Sequence, residues 1–188
     1  YGLADGEGMG AAAIEGAATR TYFVALRALL PERTGFVRRG RKEPDVVNAL
    51  VNYCSALLRE AVLSAIGVAG LDPYTSFLHT PGRGRPTLAF DLMEEWRPVL
   101  LESTVLALVG LGAVGHPDVS LTVDGPRLSG DARLAAVRRF RARLDSPASG
   151  RAPLPEGRTY GDQIRAQASA LKGWIAGRTT GYEGFRWR

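Results

Sequence analysis

The stretch DVVNALVNYCSALLREAVLSAIGVAG, residues 45–70, carries a long and regular apolar pattern. Its apolar side chains recur at helical spacing, at Val46, Leu50, Tyr53, Leu57, Ala61, Val62 and Ile66. Asp45 is suited to cap the first turn, and the glycines at 67 and 70 are suited to end the last one. The pattern therefore predicts a long helix that places an apolar stripe against a core.

The segments on either side of this stretch also have helical patterns. Helices are predicted at Ala12–Leu30, at Thr87–Val109 with a kink near Pro98, at Asp131–Leu144 and at Tyr160–Ala176. Asp124-Gly125 is a turn signal and predicts a short β-hairpin over residues 120–129. The predicted fold class is all-α, with a flexible lead-in (1–11), a helical domain (12–145), a linker (146–157) and a C-terminal helix and tail packed on that domain (158–188).

The composition is that of a globular protein with a basic surface. The chain has 188 residues, 45% of them hydrophobic, and a formal net charge of +5 that comes mostly from arginine. Because guanidinium groups bind phosphates well, nucleic acid is an expected partner. Cys54 is the single cysteine, which suits a reducing cytoplasm. The longest apolar run, Val105–Gly115, is too short to cross a bilayer, so no membrane partner is expected.

Three carboxylates could carry chemistry in the predicted helix that begins near Thr87. Asp91, Glu94 and Glu95 lie at positions i, i+3 and i+4, which places them on one face. A solvated acidic face is the simpler interpretation of such a cluster. Large apolar neighbours such as Phe90 and Trp96 argue instead for a bound cation, because acids beside apolar surface are unfavourable without one.

Two further residues could complete a metal site, although each also has a structural interpretation. His79 precedes a loop rich in glycine and arginine, and a lone histidine is more often structural than catalytic. Glu15 opens the first predicted helix, where the helix dipole alone favours an acid. A glutamate, a histidine and another carboxylate would suit Mg²⁺ or Mn²⁺. P-loop, Cys-x-x-Cys and His-Asp motifs do not occur in the sequence.

Five ordered strings together resemble the CRISPR-associated spacer-acquisition integrase family. They are IEGAATRTYF (14–23), FVRRGR (36–41), NALVNY (48–53), GLDP (70–73) running into FLH (77–79), and LAFDLMEEWRP (88–98). The match is strong over about residues 8 to 110. It departs from the family at Lys42–Asp45, where a more proline-rich approach is usual. The family's N-terminal β-rich domain is expected to be absent, which makes the chain either a C-terminal part or a natural miniature.

The resemblance implies a metal-dependent DNA integrase and endonuclease of CRISPR adaptation. Spacer fragments would be inserted into the repeat array by transesterification from a 3′-hydroxyl. It implies that Glu15, His79 and Glu94 bind Mg²⁺ or Mn²⁺, with Asp91 supporting the site. Glu95, one residue after Glu94 on the helix, is expected to turn away from the ion and to tolerate Glu95→Gln. The resemblance also implies DNA contacts by five arginines, for each of which a solvated surface role is equally favoured: Arg20, Arg38, Arg41, Arg83 and Arg85.

The resemblance also sets expectations for partners and location. The expected partners are double-stranded DNA, a second copy of the chain, a small companion subunit and an end-trimming nuclease that is fused or associated. The expected location is the cytoplasm of a prokaryote. The alternative function is that of a catalytically inactive helical DNA-binding subunit of the same complex, whose DNA binding would be indifferent to divalent metal. A purely structural partner fits the arginine surplus poorly.

Overall fold

The computed structural model describes residues 21–78, 84–150 and 157–186. These residues form a helical domain with one two-stranded antiparallel sheet. The helices are residues 21–29 (α1), Val46–Ala69 (α2), Thr87–Met93 (α3), Ser103–Gly110 (α4), Gly130–Leu144 (α5) and Tyr160–Ile175 (α6). Glu32–Thr34 and His116–Asp118 form 3₁₀ turns, and Arg97–Glu102 forms a π-helical segment. The all-α fold class predicted from the sequence is confirmed.

Helix α2 lies at the centre of the domain. The Asp45 side chain caps it by accepting a hydrogen bond from the Asn48 backbone N–H at 2.8 Å. Gly70 ends it in the left-handed conformation, with φ of 69°. Helices α3, α5 and α6 and the π-helical segment all pack against α2. Along its length Leu50, Cys54 and Leu58 are fully buried.

Helix α2 is also long and apolar enough, by length and composition, to cross a membrane. Its packing identifies it as the core helix of the domain, since helices on several sides cover its apolar face. Lys172 of α6 caps its last turn by donating to the Ala69 carbonyl oxygen at 2.7 Å. The packing of α6 on α2 brings the last part of the chain onto the same core.

The predicted helix from Thr87 to Val109 is divided into three parts. Helix α3 ends at Met93, and the π-helical segment begins at Arg97, just before Pro98. Proline has no N–H to donate and its ring clashes with the preceding turn, so the regular hydrogen-bond ladder stops there. Within the π-helical segment the Val99 carbonyl oxygen accepts from Ser103 Oγ at 2.6 Å and from Arg143 Nε at 3.0 Å.

The hairpin predicted at residues 120–129 is present as β1 (Val119–Thr122) and β2 (Gly125–Leu128). In its antiparallel register Val119 pairs with Leu128 and Thr122 pairs with Gly125. Gly125 has φ of 116°, and a Cβ atom there would lie 3.0 Å from the Arg41 carbonyl oxygen. A glycine is therefore needed where the hairpin meets the arginine-rich loop of residues 38–41.

Candidate active site

Asp91 lies two residues before the end of α3 and is buried, with 6% of its surface exposed. Its Oδ2 accepts hydrogen bonds from the backbone N–H groups of Phe77, at 2.7 Å, and Leu78, at 3.2 Å. Two such bonds stabilise a buried carboxylate and fix the backbone that donates them. Asp91 therefore holds the segment that leads into position 79.

Glu94 directly follows α3 and is exposed, with 44% of its side chain accessible. Its Oε1 accepts a hydrogen bond from Arg97 Nη1 at 3.2 Å. An exposed pair of this kind contributes at most about 1 kcal/mol to stability, so another cation can replace the guanidinium with little loss. The Glu94 carboxylate is thus accessible to a ligand from solvent.

Arg97 joins Glu94 to a second, buried carboxylate. Its Nε lies 3.6 Å from Oε1 of Glu102, whose side chain is 5% exposed. The Tyr22 hydroxyl of α1 is hydrogen-bonded to the same Glu102 carboxylate. The four side chains form a continuous polar chain, Glu94–Arg97–Glu102–Tyr22, in which the buried Glu102 lies between members that reach the surface.

Charge and burial act against each other along this chain. Burial raises the pKa of Glu102, and the positive charge of Arg97 and the Tyr22 hydrogen bond oppose that rise. Burial by itself would lower the pKa of Arg97, but Glu94 and Glu102 outweigh it and raise that pKa. Burial also raises the pKa of Tyr22, and the Glu102 carboxylate adds to the effect. Arg97 therefore stays fully charged between the two carboxylates.

Glu95 faces the C-terminal tail and takes no part in the Glu94–Arg97 pair. Its Oε1 accepts from the Tyr182 hydroxyl at 2.8 Å, and its Oε2 accepts from the Phe185 backbone N–H at 2.6 Å. The Phe185 ring stacks on Trp96, with centroids 4.5 Å apart. Burial raises the pKa of Tyr182, and the negative charge of the nearby Glu95 carboxylate raises it further. The Glu94 and Glu95 carboxylates therefore have different partners: Glu94 pairs with Arg97, and Glu95 binds the C-terminal tail.

The arginine-rich loop of residues 38–41 is held to α2 by two asparagines. Asn48 Oδ1 accepts from Arg39 Nη1 at 2.8 Å and from the Gly40 N–H at 3.0 Å, and its Nδ2 donates to the Arg38 carbonyl oxygen at 2.9 Å. Asn52 Oδ1 accepts from Arg39 Nη2 at 2.8 Å. Asn48 is fully buried, so its amide fixes the loop from inside the domain.

The arginines near this loop have different surroundings. The side chain of Arg38 is 76% exposed and lies 2.6 Å from Glu43 Oε1. Arg39 is half-buried, and its two hydrogen bonds go to neutral amide oxygens. Burial lowers the pKa of Arg39, and the nearby positive charge of Arg97 lowers it further. Arg41 and Arg85 are exposed.

Some of the residues predicted from the sequence lie outside the described residues. These are Glu15, Arg20, His79 and Arg83. Of the predicted site, the structure describes Asp91 and Glu94, which lie on the same short stretch of chain. Within residues 21–78, 84–150 and 157–186, no group of three or more His, Cys, Asp or Glu side chains is placed to hold a metal ion.

Four functional candidates were missed in the sequence: Tyr22, Arg39, Arg97 and Glu102. Two of them had a usable signal. Arg97 is three residues after Glu94, a spacing that pairs side chains along a helix. Glu102 is the single acid within the apolar run from Val99 to Val109, and an acid in such a run requires a partner. No sequence signal pointed to Arg39 or Tyr22, because their hydrogen-bond partners lie in other elements of the fold.

The chain belongs to the family described as CRISPR associated protein Cas1, whose model matches residues 10–142. A Cas1 endonuclease of Thermus thermophilus is 39% identical over 173 residues, which are 91% of this chain and 52% of that protein. A Cas4 exonuclease/Cas1 endonuclease fusion of Rhodospirillum rubrum is 40% identical over 139 residues, which are 70% of this chain and 24% of the fusion. The chain thus spans about half the length of one relative and a quarter of the other.

Solved structures show the same fold. A casposase bound to its integration product superimposes with a TM-score of 0.83 at 24% identity, over 91% of this chain and 48% of the casposase. A Cas1 protein from Thermotoga maritima superimposes with a TM-score of 0.76 at 22% identity, over 94% of this chain and 53% of that protein.

Proposed function

We propose that this chain is the catalytic helical part of a divalent-metal-dependent DNA integrase and endonuclease of CRISPR adaptation. The observation that carries the proposal is the exposed Glu94 carboxylate, which lies one turn beyond Asp91 and its hydrogen bonds to Phe77 and Leu78. Relatives named as Cas1 endonucleases support a nuclease of this family, and the net charge of +5 supports nucleic acid as the substrate.

The proposed metal ligands are Glu15, His79 and Glu94. Two carboxylates and one imidazole suit Mg²⁺ or Mn²⁺, the imidazole being better tolerated by Mn²⁺. Glu94 fits this role because its carboxylate is exposed and its ion pair with Arg97 is weak. When bound, the divalent ion supplies a Lewis acid that polarises the phosphodiester and stabilises the charge on the leaving oxygen.

The other side chains of the site prepare the surface that receives the DNA. Asp91 fixes the backbone of Phe77 and Leu78, directly before position 79, by accepting their two N–H hydrogen bonds. Arg97 places a guanidinium beside Glu94, where a phosphate of the DNA backbone could accept from it. In this mechanism a 3′-hydroxyl of the incoming DNA attacks a phosphodiester at the repeat boundary, and nicking by water would use the same residues.

The proposed DNA contacts extend over the basic surface around the site. Arg41 and Arg85 are exposed and able to reach phosphates, whereas Arg38 must first exchange its ion pair with Glu43. Arg20 and Arg83 complete the proposed set. Such contacts read phosphates and not bases, so binding is expected to be salt-sensitive and largely independent of sequence.

We also propose the partners of a CRISPR adaptation complex, in the cytoplasm of a prokaryote. These are double-stranded DNA of the spacer and the repeat array, a second copy of this chain, a small companion subunit and an end-trimming nuclease. Relatives named as Cas4/Cas1 fusions support the nuclease. Structures titled as a Cas6-RT-Cas1–Cas2 complex support the companion subunit.

The proposal is tested by strand transfer of a fluorescent short duplex into a supercoiled plasmid that carries a repeat array, with and without Mn²⁺. A duplex with 3′-dideoxy ends separates the two reactions, because it blocks joining but leaves nicking by water intact. We expect joining with Mn²⁺ and its loss in Glu94→Ala. The matched control is Glu60→Ala, which removes an exposed glutamate that also lies beside an arginine.

Two outcomes would contradict the proposal. The first is the absence of Mn²⁺-dependent joining and nicking in the unaltered chain. The second is equal activity in Glu94→Ala and Glu60→Ala. DNA binding that is the same in EDTA and in Mn²⁺, without either reaction, would instead support the inactive DNA-binding subunit.

A further inference from the structure

Glu102 is a buried acid that the proposed reaction does not use. It is 4% exposed, and the buried side chains of Leu101 and Val105 lie before and after it in the chain. Its Oε2 has no hydrogen-bond partner among the described residues. A buried carboxylate with an unpaired oxygen is destabilising unless a nearby positive charge compensates for it.

Arg97 supplies that positive charge. Its Nε faces Glu102 Oε1 at 3.6 Å, while its Nη1 donates to Glu94 Oε1 at 3.2 Å. The guanidinium is therefore held from two sides, by one carboxylate at the surface and one in the core. A guanidinium has five N–H groups, so these two contacts leave donors for a further acceptor.

The two carboxylates differ in how firmly they hold Arg97. Glu94 is exposed, and a bound divalent cation would take over its charge and weaken its attraction for the guanidinium. Glu102 is enclosed by the core, and the Tyr22 hydroxyl hydrogen-bonds to it from α1. Glu102 thus keeps its position whatever happens at Glu94.

We propose that Glu102 is a positioning residue, which keeps the Arg97 guanidinium beside the site so that its remaining N–H donors can bind a phosphate oxygen of the DNA. Without Glu102, Arg97 would be free to turn towards solvent and would lose rotamer entropy each time it bound DNA. Glu102 acts entirely through Arg97 and touches no substrate. This role rests on the proposed function, since it names the substrate phosphate as the acceptor.

The test compares Glu102→Gln, Arg97→Gln and the double variant in two assays. The first assay is the salt dependence of binding to a short duplex in EDTA, which requires neither metal nor catalysis. Loss of one phosphate contact lowers the slope of log K against log salt by about 0.9, and we expect this in Arg97→Gln and, in large part, in Glu102→Gln. The second assay is strand transfer with Mn²⁺, which we expect to fall about tenfold in Glu102→Gln.

The double variant shows whether Glu102 acts through Arg97. We expect Glu102→Gln to change nothing further in the Arg97→Gln background, in either assay. The matched control is Glu60→Gln, which removes the charge of an exposed carboxylate that lies beside Arg59. Its strand transfer should stay within about twofold, as expected for an exposed pair.

Two results would overturn the positioning role: an unchanged salt slope in Glu102→Gln, or effects that add in the double variant. If Glu102→Gln does not fold, Tyr22→Phe removes the hydroxyl that steadies Glu102, and the same comparison is made with that variant. If the unaltered chain shows no strand transfer, only the proposed function is contradicted. The salt slope in EDTA would still decide whether Glu102 positions Arg97.

Discussion

The adjacent acids Glu94 and Glu95 should respond to mutation in opposite ways. Glu95→Ala removes the acceptor of two hydrogen bonds, from the Tyr182 hydroxyl and the Phe185 N–H. Hydrogen bonds to a charged group contribute about 1.5–3 kcal/mol each. Because Glu95 is only half-buried, we take the lower end and expect Glu95→Ala to lower the free energy of unfolding by about 3 kcal/mol.

Glu94→Ala removes only an exposed ion pair with Arg97. We expect it to lower the free energy of unfolding by less than about 1 kcal/mol. For a chain of this size each kcal/mol shifts Tm by about 2–4 °C. The predicted loss of Tm is therefore about 6–12 °C for Glu95→Ala and less than about 4 °C for Glu94→Ala.

Glu95→Gln is the intermediate case. The glutamine oxygen can accept from the Phe185 N–H, and the Tyr182 hydroxyl can rotate to accept from the new amide. Replacing charge-assisted bonds by neutral ones should lower the free energy of unfolding by about 1 kcal/mol. We therefore expect Glu95→Gln to leave metal binding and strand transfer unchanged and to cause only a small loss of stability.

Thermal and urea unfolding measure the stability of each variant, and titration with Mn²⁺ followed by electron paramagnetic resonance measures metal binding. Glu94→Ala should lose Mn²⁺ affinity with a Tm loss of less than about 4 °C, whereas Glu95→Ala should keep Mn²⁺ affinity and lose about 6–12 °C of Tm. Tyr182→Phe is the control for the tail, since it removes one of the two hydrogen bonds and should lower stability by about 1.5 kcal/mol. Equal loss of Mn²⁺ affinity in Glu94→Ala and Glu95→Gln would refute the separation of the two carboxylates.

Three further predictions concern the framework of the site. Asn48→Ala should lower the free energy of unfolding by about 3 kcal/mol, because it leaves several buried polar groups unpaired, and should speed proteolysis of the arginine-rich loop; slow, wild-type proteolysis would contradict this. Gly125→Ala should destabilise by about 1–3 kcal/mol in urea unfolding, because of its positive φ and the nearby Arg41 carbonyl, whereas Gly130→Ala, with open space around it, should not. Burial raises the pKa of the Cys54 thiol to about 12, so Ellman's reagent at pH 8 should react with it only after unfolding, and rapid reaction of the native chain would show that the core is open.

The helices were largely predictable because their signals are local. The apolar period and the Asp45 cap gave the beginning of α2 at Val46, and Gly70 was among the residues expected to end it. The turn signal at Asp124-Gly125 located the hairpin. The kink near Pro98 was also expected, because proline disrupts the helical hydrogen-bond ladder, but no local signal indicated that the segment would be π-helical.

The site was predictable only in part. Spacing placed Asp91, Glu94 and Glu95 on one helical face and led to the expectation that Glu95 turns away, but it could not give the contacts that separate Glu95 from Glu94. The separation comes from α3 ending at Met93, after which Glu94 and Glu95 diverge to different surroundings. The roles proposed for Glu15 and His79, and the DNA contacts of Arg20 and Arg83, stay predictions from the resemblance, since these residues lie outside the described part of the chain.

The sequence by itself determined the all-α class, the positions of the helices and the family, since periodicity, caps and ordered motifs are properties of neighbouring residues. The tertiary structure alone decided that Glu95 anchors a tail 87 to 90 residues away. It alone decided that Arg97 lies between Glu94 and the buried Glu102, with Tyr22 of α1 beside them. The physical reason is that a carboxylate's role is set by the charges and donors that reach it. In a packed domain those groups come from elements that the chain brings together only when it folds.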